Sequence, residues 1–303
     1  MPVRVVESKD NARLKELRKA LAAAGRSAQS RVGRASHVGI EGPHLLEEAL
    51  CAGLRVRTIF VAQGPNRDLG RLLDELPIPP ETEILRLPAK LLHSALATET
   101  PQPIAALVEP PEWSWPHILG TRPKGAELIV VLAGIQDPGN LGTILRSAEA
   151  FGATGVVSLP GTVSAWNPKA VRASAGSVFR VPLLAVSEQE CLKELHEAGV
   201  KILATTVHAA QPAERVDMAG PVALIIGNEG NGVPGDLAAK ADARITIPCP
   251  GPVESLNAAV AASVLLYEAA RQRASSFSHP FSAAANRAEE RMGHGGLKRG
   301  ARR

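Results

Sequence analysis

From Glu127 onward, apolar runs of strand length alternate with segments of helical period, and no other feature constrains the fold as much. "ELIVVLA" (127–133) reads as a buried strand. "NLGTILRSAEAFG" (140–152) puts Leu141, Ile144, Leu145, Ala148 and Phe151 on one side of a helix that Gly152 can end. The alternation continues through "GVVSL", "NPKAVRASAG", "EQECLKELHEAG", "VKILATTV", "VALIIG", "PGDLAAKA" and "RITIP", and closes on a long helix entered at Ser255. Regular β-α alternation predicts a parallel sheet covered by helices on both faces.

The first 110 residues carry a smaller α/β pattern. Residues 8–24 read as a helix with Ser8 as N-cap and Gly25 at its end, because Leu14, Leu17 and Leu21 recur at helical spacing. "HVGIEGPHLLEEALCAGLRVRTIFVAQG" reads as strand, turn, helix, strand, with Leu45, Leu46, Ala49 and Leu50 on one helix face. "TEILRLPAKLLHSA" repeats strand then helix, and "PIAALVEPP" adds a strand. The Pro-rich stretch 111–125, with two tryptophans, reads as a linker whose Trp side chains can pack between domains. Four segments follow: 1–110, the linker 111–125, a larger domain at 126–274, and a basic, aperiodic, disordered tail at 275–303.

Aromatic residues make up only 3% of the 303, so Ala, Val, Leu and Ile must fill the cores. No apolar run reaches the length of a membrane span, and the N-terminus lacks a secretory apolar region. Cys51, Cys191 and Cys249 lie far apart, which fits a reducing cytoplasm and excludes a disulfide framework. Neither cysteines nor histidines show metal-ligand spacing, so no metal is expected. Net charge is +4, with basic residues gathered at both ends of the chain. Lys9, Arg13, Arg31 and Arg34 are candidate contacts to a polyanion, against the plain alternative of a solvated helix face.

Ligands of parallel sheets bind at the carboxyl ends of strands. Three segments leave such ends with glycines and small polar residues: 133–152, "IIGNEGNGV" (225–233) and "IPCPGPVESLNAA" (247–259). Neither nucleotide-binding glycine signature follows a strand, and Glu229 within "GNEGNG" would repel a pyrophosphate. Exposed backbone groups beside one carboxylate suit an uncharged base joined to a cationic centre. S-adenosylmethionine has that chemistry.

"NLGTILRSAEAFG", "IIGNEGNGV" and "IPCPGPVESLNAAVAASVLLYEA" resemble, in order and spacing, the three motifs of the SpoU (TrmH-like) RNA 2′-O-methyltransferases. "KAVRASAG" is similar to the segment between the first two motifs. "SKDNARLKELRKAL", "GIEGPHLLEEAL" and "TETPQPIAALV" resemble the substrate-binding domain often joined to them. Two positions depart from the pattern: Pro103, where the family often has Gly, and Cys249, where Met is common. The resemblance implies an α/β fold of the SPOUT class, a parallel sheet with a C-terminal trefoil knot, plus a small N-terminal α/β (L30e-like) substrate-binding domain. It also implies a cytoplasmic homodimer that acts on RNA, ribosomal RNA being favoured over tRNA.

The same resemblance assigns roles. Gly227, Ile247 and Leu256 offer backbone groups to S-adenosylmethionine, and Thr205 and Thr206 lie beside it. Asn228, Glu229, Gly230 and Pro248 line the slot, and Ser255 and Asn257 bond the cofactor or the ribose. Arg146 is the catalytic candidate, either as the base for the ribose hydroxyl or, since arginine ordinarily stays protonated, as a phosphate anchor that orients attack. Asn140 caps the helix and positions Arg146. Each residue also has a plainer reading: Asn140 and Ser255 as N-caps alone, Glu229 as a partner for loop N–H groups, and Arg172 and Ser174 as either RNA contacts or supports of the first helix. Two competing functions remain open: a non-catalytic RNA-binding protein that keeps the cofactor slot, and a methyltransferase acting on a base nitrogen.

Overall fold

The computed structural model describes residues 3–22, 37–64, 67–96, 98–120, 127–207, 211–253 and 255–274. Arg31, Arg34, Gly25 and the tail from 275 lie outside the described residues.

The N-terminal part runs β1 (Val3–Val5), α1 (Ala12–Ala22), β2 (Val38–Glu41), α2 (Pro43–Cys51), β3 (Val56–Gln63), α3 (Arg67–Glu75), β4 (Glu83–Pro88), α4 (Ala89–His93) and β5 (Ile104–Val108). Its five-stranded sheet has the order β1-β4-β3-β5-β2. β4 runs parallel to β1 and β3, whereas β5 runs antiparallel to β3 and β2. Helix α1 starts at Ala12, not near Ser8. Asn11 Oδ1 accepts from the N–H groups of Arg13 and Leu14, so Asn11 is the cap. Ser8 Oγ accepts instead from Asp10 N in the preceding turn.

The stretch read as a linker contains a helix, α5 (Trp115–Leu119). Ser114 and His117 form its capping box, and Pro116 lies in its first turn, where a missing N–H costs nothing. Ile118 is fully buried, and a Cβ on Gly155 would lie 2.6 Å from it, so α5 packs on the second sheet rather than bridging in solvent.

That second sheet is parallel throughout, as the alternation predicts. Its elements are β6 (Leu128–Ala133), α6 (Pro138–Ala150), β7 (Gly155–Ser158), α7 (Pro168–Ala173), β8 (Leu183–Ala185), α8 (Glu188–Glu197), β9 (Lys201–Thr205), β10 (Gln211–Pro212), β11 (Val222–Gly227), α9 (Gly235–Ala238), β12 (Ala243–Thr246) and α10 (Ala258–Ala274). The strand order is β10-β12-β9-β11-β6-β7-β8. Every residue of β6, β7 and β11 is buried, as expected for strands covered on both faces. Side chains alternate between the faces. Leu128, Val130 and Leu132 join a cluster with α6 and α10, and Ile129, Val131 and Ala133 join one with α5 and α8. The first of these clusters also takes in Leu45, Leu46 and Val38, so both sheets share one continuous core.

Helix α10 packs against α6, with a Ser147–Ser263 hydroxyl bond of 2.7 Å between them. Its last turn is tied down by Arg273, whose guanidinium donates to the carbonyls of Met218, Gly220 and Glu127. Between α6 and α7 the backbones approach so closely that a Cβ on Gly142 would lie 2.4 Å from Ala170 O. Buried Ser174 donates through its hydroxyl to Val171 O and through its N–H to Ala170 O, and its nitrogen would lie 2.8 Å from a Cβ on Gly142, so it lines the close contact that supports the first helix, while Arg172 is exposed.

Candidate active site

The strand order reverses between β6 and β11: the chain leaves β6 toward β7 and β8, then returns on the other side. Loops at the carboxyl ends of such a pair part and leave a crevice. Across it, Asn228 Nδ2 donates to Gly134 O at 2.8 Å, just beyond the ends of β11 and β6. Asn228 Oδ1 accepts from Gly230 N at 2.8 Å, and Asn228 and Gly232 exchange two backbone bonds, which folds residues 228–232 into a tight loop. Gly232 takes φ +65, and Gly227 has no room for a side chain: a Cβ there would lie 2.0 Å from the Gly232 carbonyl carbon.

Asn140 joins the three candidate segments. Its Nδ2 donates to Glu229 Oε1 at 2.7 Å, and its Oδ1 accepts from Asn257 Nδ2 at 3.0 Å. One amide thereby meets a carboxylate with its donor end and another amide with its acceptor end, as the two-ended Asn side chain allows. The capping roles differ from those expected. Asp137, not Asn140, caps α6, accepting from Asn140 N at 2.9 Å. Asp-Pro before a helix is itself the signal for this, since Pro138 takes the first helical position. Lys169 Nζ donates to the other Asp137 oxygen at 2.9 Å, and this bond first, then Asn140 N, holds the carboxyl below its ordinary value. Likewise Asn257, not Ser255, caps α10: its Oδ1 accepts from Ala259 N and Val260 N. Helix α10 begins at Ala258, and Ser255 stands exposed in the loop before it.

Arg146 lies on the exposed side of α6, two turns from Asn140, and forms no hydrogen bond or ion pair among the described residues. Its guanidinium is therefore available to an anion. Thr205 Oγ1 donates to Ile225 O at 2.9 Å, and Thr206 N to Ile245 O, which brings the ends of β9, β11 and β12 together. In the loop after β12, no N–H between Ile247 and Val253 donates to a backbone carbonyl among the described residues, and three prolines stiffen it. The slot fits S-adenosylmethionine by this donor set: backbone N–H and C=O groups for an adenine, with the Glu229 carboxylate nearby for a positive charge. Leu256, half-buried, and Pro248 belong to this loop, and Gly230 to the facing one.

The basic N-terminal candidates divide. Lys9 is exposed, but Arg13 is engaged by Glu16 and Glu83 at 2.9 and 3.3 Å. Gly134 and Asp137, within the segment 133–152 but given no individual role there, and Lys169, outside all three segments, stand at the edge of the site. No group of three or more His, Cys, Asp or Glu able to hold a metal occurs among the described residues.

Comparison with known proteins agrees with this geometry. Residues 127–267 match the model of the SpoU rRNA Methylase family, and residues 40–114 match that of the RNA 2′-O ribose methyltransferase substrate-binding domain. The SpoU methyltransferase AviRb of Streptomyces viridochromogenes, solved with AdoMet, superposes with a TM-score of 0.74 at 30% identity, over 87% of this chain and 98% of that one. An AdoMet-bound rRNA methyltransferase from Sinorhizobium meliloti gives 0.72 at 28% identity, over 89% and 98%. The architecture is thus the α/β fold of the SpoU methyltransferases. The 23S rRNA (guanosine(2553)-2′-O)-methyltransferase RlmP of Bacillus subtilis is 37% identical over 75% of this chain and 86% of its own length. The chain belongs to the SpoU rRNA methylase family.

Proposed function

We propose that this protein is an RNA 2′-O-methyltransferase that uses S-adenosylmethionine, with ribosomal RNA as the favoured substrate. The observation that carries it is the Asn140 amide, which draws Glu229 and Asn257 together beside the reversal of the sheet, on the helix that presents Arg146. RlmP of Bacillus subtilis, by its name a 23S rRNA guanosine methyltransferase, supports the choice of RNA.

S-adenosylmethionine supplies a methyl group on a positively charged sulfur. Ile247, Leu256 and Gly227 offer backbone groups to its base, with Pro248 keeping their loop in shape. Thr205, Thr206, Asn228, Glu229 and Gly230 form the opposite wall. Arg146 binds an RNA phosphate and so fixes the ribose hydroxyl for in-line attack; a positioned charge of this kind acts without reorganisation when the reaction occurs. Asn140 holds Glu229 and Asn257 in register, and Ser255 faces the ribose.

Further parts of the reading rest on the family. The unit 1–110 is an L30e-like domain that holds RNA through Lys9 among others, and 126–274 is the catalytic domain, on which Arg172 adds a further RNA contact. The carboxyl-terminal segment is threaded as a trefoil knot, a reading supported by the way α10 lies on α6 and is tied at its end by Arg273. The protein is a cytoplasmic homodimer: Val260, Val264 and Tyr267 stand 48%, 41% and 56% exposed on one face of α10, an apolar stripe at helical spacing that a second copy can cover. Among the described residues no helix is long and apolar enough to cross a membrane.

Mapping 2′-O-methyl sites in total RNA with and without the gene tests the activity. Loss of one site supports it. No lost site, together with RNA binding but no methyl transfer in vitro, favours the non-catalytic reading.

A further inference from the structure

One side chain spans the two sheet domains and also grips the helix of Arg146. Arg180 follows a single helical turn at Ser177–Phe179. Its Nη1 donates to Glu48 Oε2 on α2, 132 positions away, at 2.5 Å. Its Nε and Nη2 donate to the two carboxylate oxygens of Glu149 on α6, at 2.5 and 3.1 Å. Glu149 lies three residues beyond Arg146 on that helix.

The backbone beside this clasp is built for close approach. Gly176 takes φ +91, and a Cβ there would lie 2.7 Å from both Cβ and Oε2 of Glu48. Beneath it, Leu45 and Leu46 of α2 share one apolar cluster with Val178 and Phe179. The Arg180 bonds, opposed by burial and helped by Ser177, hold the Glu149 carboxyl below its ordinary value. Arg180, Glu48 and Glu149 are 36%, 24% and 33% exposed, so water screens the clasp and it adds little to stability. A planar fork that engages two carboxylates at once instead restricts angle.

We propose that Arg180 is a positioning residue for methyl transfer: it fixes the angle between the RNA-holding domain and α6, so that RNA docked on one presents its ribose to Arg146 on the other. This rests on the methyltransferase reading above. Methyl transfer is sensitive to small displacements of the acceptor, so loosening the clasp acts on RNA use and leaves the cofactor slot unchanged.

The test uses the full chain with Glu48→Ala, which cuts only the arm between domains, and Arg180→Lys, which keeps the charge but loses the fork. Kinetics are measured on in-vitro-transcribed, unmodified large-subunit ribosomal RNA, and S-adenosylmethionine affinity by calorimetry. Both variants should lower kcat/KM for RNA about tenfold while cofactor affinity stays within about twofold. A second readout needs no activity. Spin labels go on exposed Cys51 of α2 and on Thr143→Cys of α6, with Cys249→Ser; burial pushes the Cys191 thiol up to about 12 and keeps it unlabelled. The distance distribution should be narrow in the parent and broad in both clasp variants. An unchanged distribution, or unchanged kcat/KM with an active parent, overturns the proposal. An inactive parent whose distribution still broadens on Glu48→Ala counts against the methyltransferase reading while the clasp stands.

Discussion

Asn140 Nδ2 donates to Glu229 Oε1 at 2.7 Å across 89 positions of sequence, and the same amide accepts from Asn257. Replacing the donor end tests what this link does. Asn140→Asp sets two carboxylates against each other, and the repulsion should open the slot. Cofactor affinity should fall at least tenfold by calorimetry, a loss of about 1.4 kcal/mol or more. Asn140→Ala should weaken it less, because it removes the link without adding charge.

Arg146 has no partner among the described residues, so its removal should leave the fold intact. Arg146→Ala should lower kcat for RNA methylation by about 10²–10³ or more, as loss of a positioned transition-state donor does. Cofactor affinity and melting temperature should match the parent. Arg146→Lys keeps one charge without the fork and should recover little.

Gly227 stands where strand β11 meets its loop, and a side chain there would enter the backbone of Gly232 and Val233. Neither backbone atom can yield as a flexible side chain could. Gly227→Ala should therefore abolish measurable S-adenosylmethionine binding, whereas Gly230→Ala, whose nearest neighbour is an amide oxygen at 3.4 Å, should bind within a few-fold of the parent.

The cap of α6 carries a pH signature. Asp137 is held below its ordinary value of 3.8, with Lys169 the first cause. Its contribution is present in full above that value and disappears as pH falls through the lower folded-state value. Asp137→Ala should cost about 1 kcal/mol at pH 7, and Asp137→Asn, which can still accept from Asn140 N, should cost less. Urea unfolding at pH 7 and pH 3 checks both: the gap between parent and Asp137→Ala should narrow in acid.

Tyr267 packs edge-on to Phe151 at 5.9 Å yet remains more than half exposed at the end of the α10 stripe. Val264→Glu with Tyr267→Glu places charge on the face proposed for the second copy. Light scattering should then report a monomer where the parent reports a dimer.

Much of the second sheet was legible because its strands are continuous apolar runs and its helices keep one apolar side. The elements that escaped have weak local signals. β1 is three exposed residues, α3 is charged with a glycine at its centre, and β10 is two residues on a sheet edge. α5 was hidden by Pro116, which reads as a linker until its place in a first turn is seen. Motif order singled out Asn140, Glu229 and Asn257, but their mutual bonds could not be read, since each partner lies about a hundred positions from Asn140. The caps lie a few residues from the positions the sequence favours for one reason: Ser8, Asn140 and Ser255 each have an equally good capping neighbour, Asn11, Asp137 and Asn257. The Glu48–Arg180–Glu149 clasp has no signature in sequence, because ordinary surface charges become a joint only once the domains meet.

Transfer of labelled methyl from S-adenosylmethionine to unmodified ribosomal RNA, followed by digestion to nucleosides, tests the central claim most directly. Label should appear on a ribose 2′-oxygen with the parent protein and vanish with Arg146→Ala. Label on a base nitrogen, or equal ribose labelling by the parent and Arg146→Ala, would contradict it.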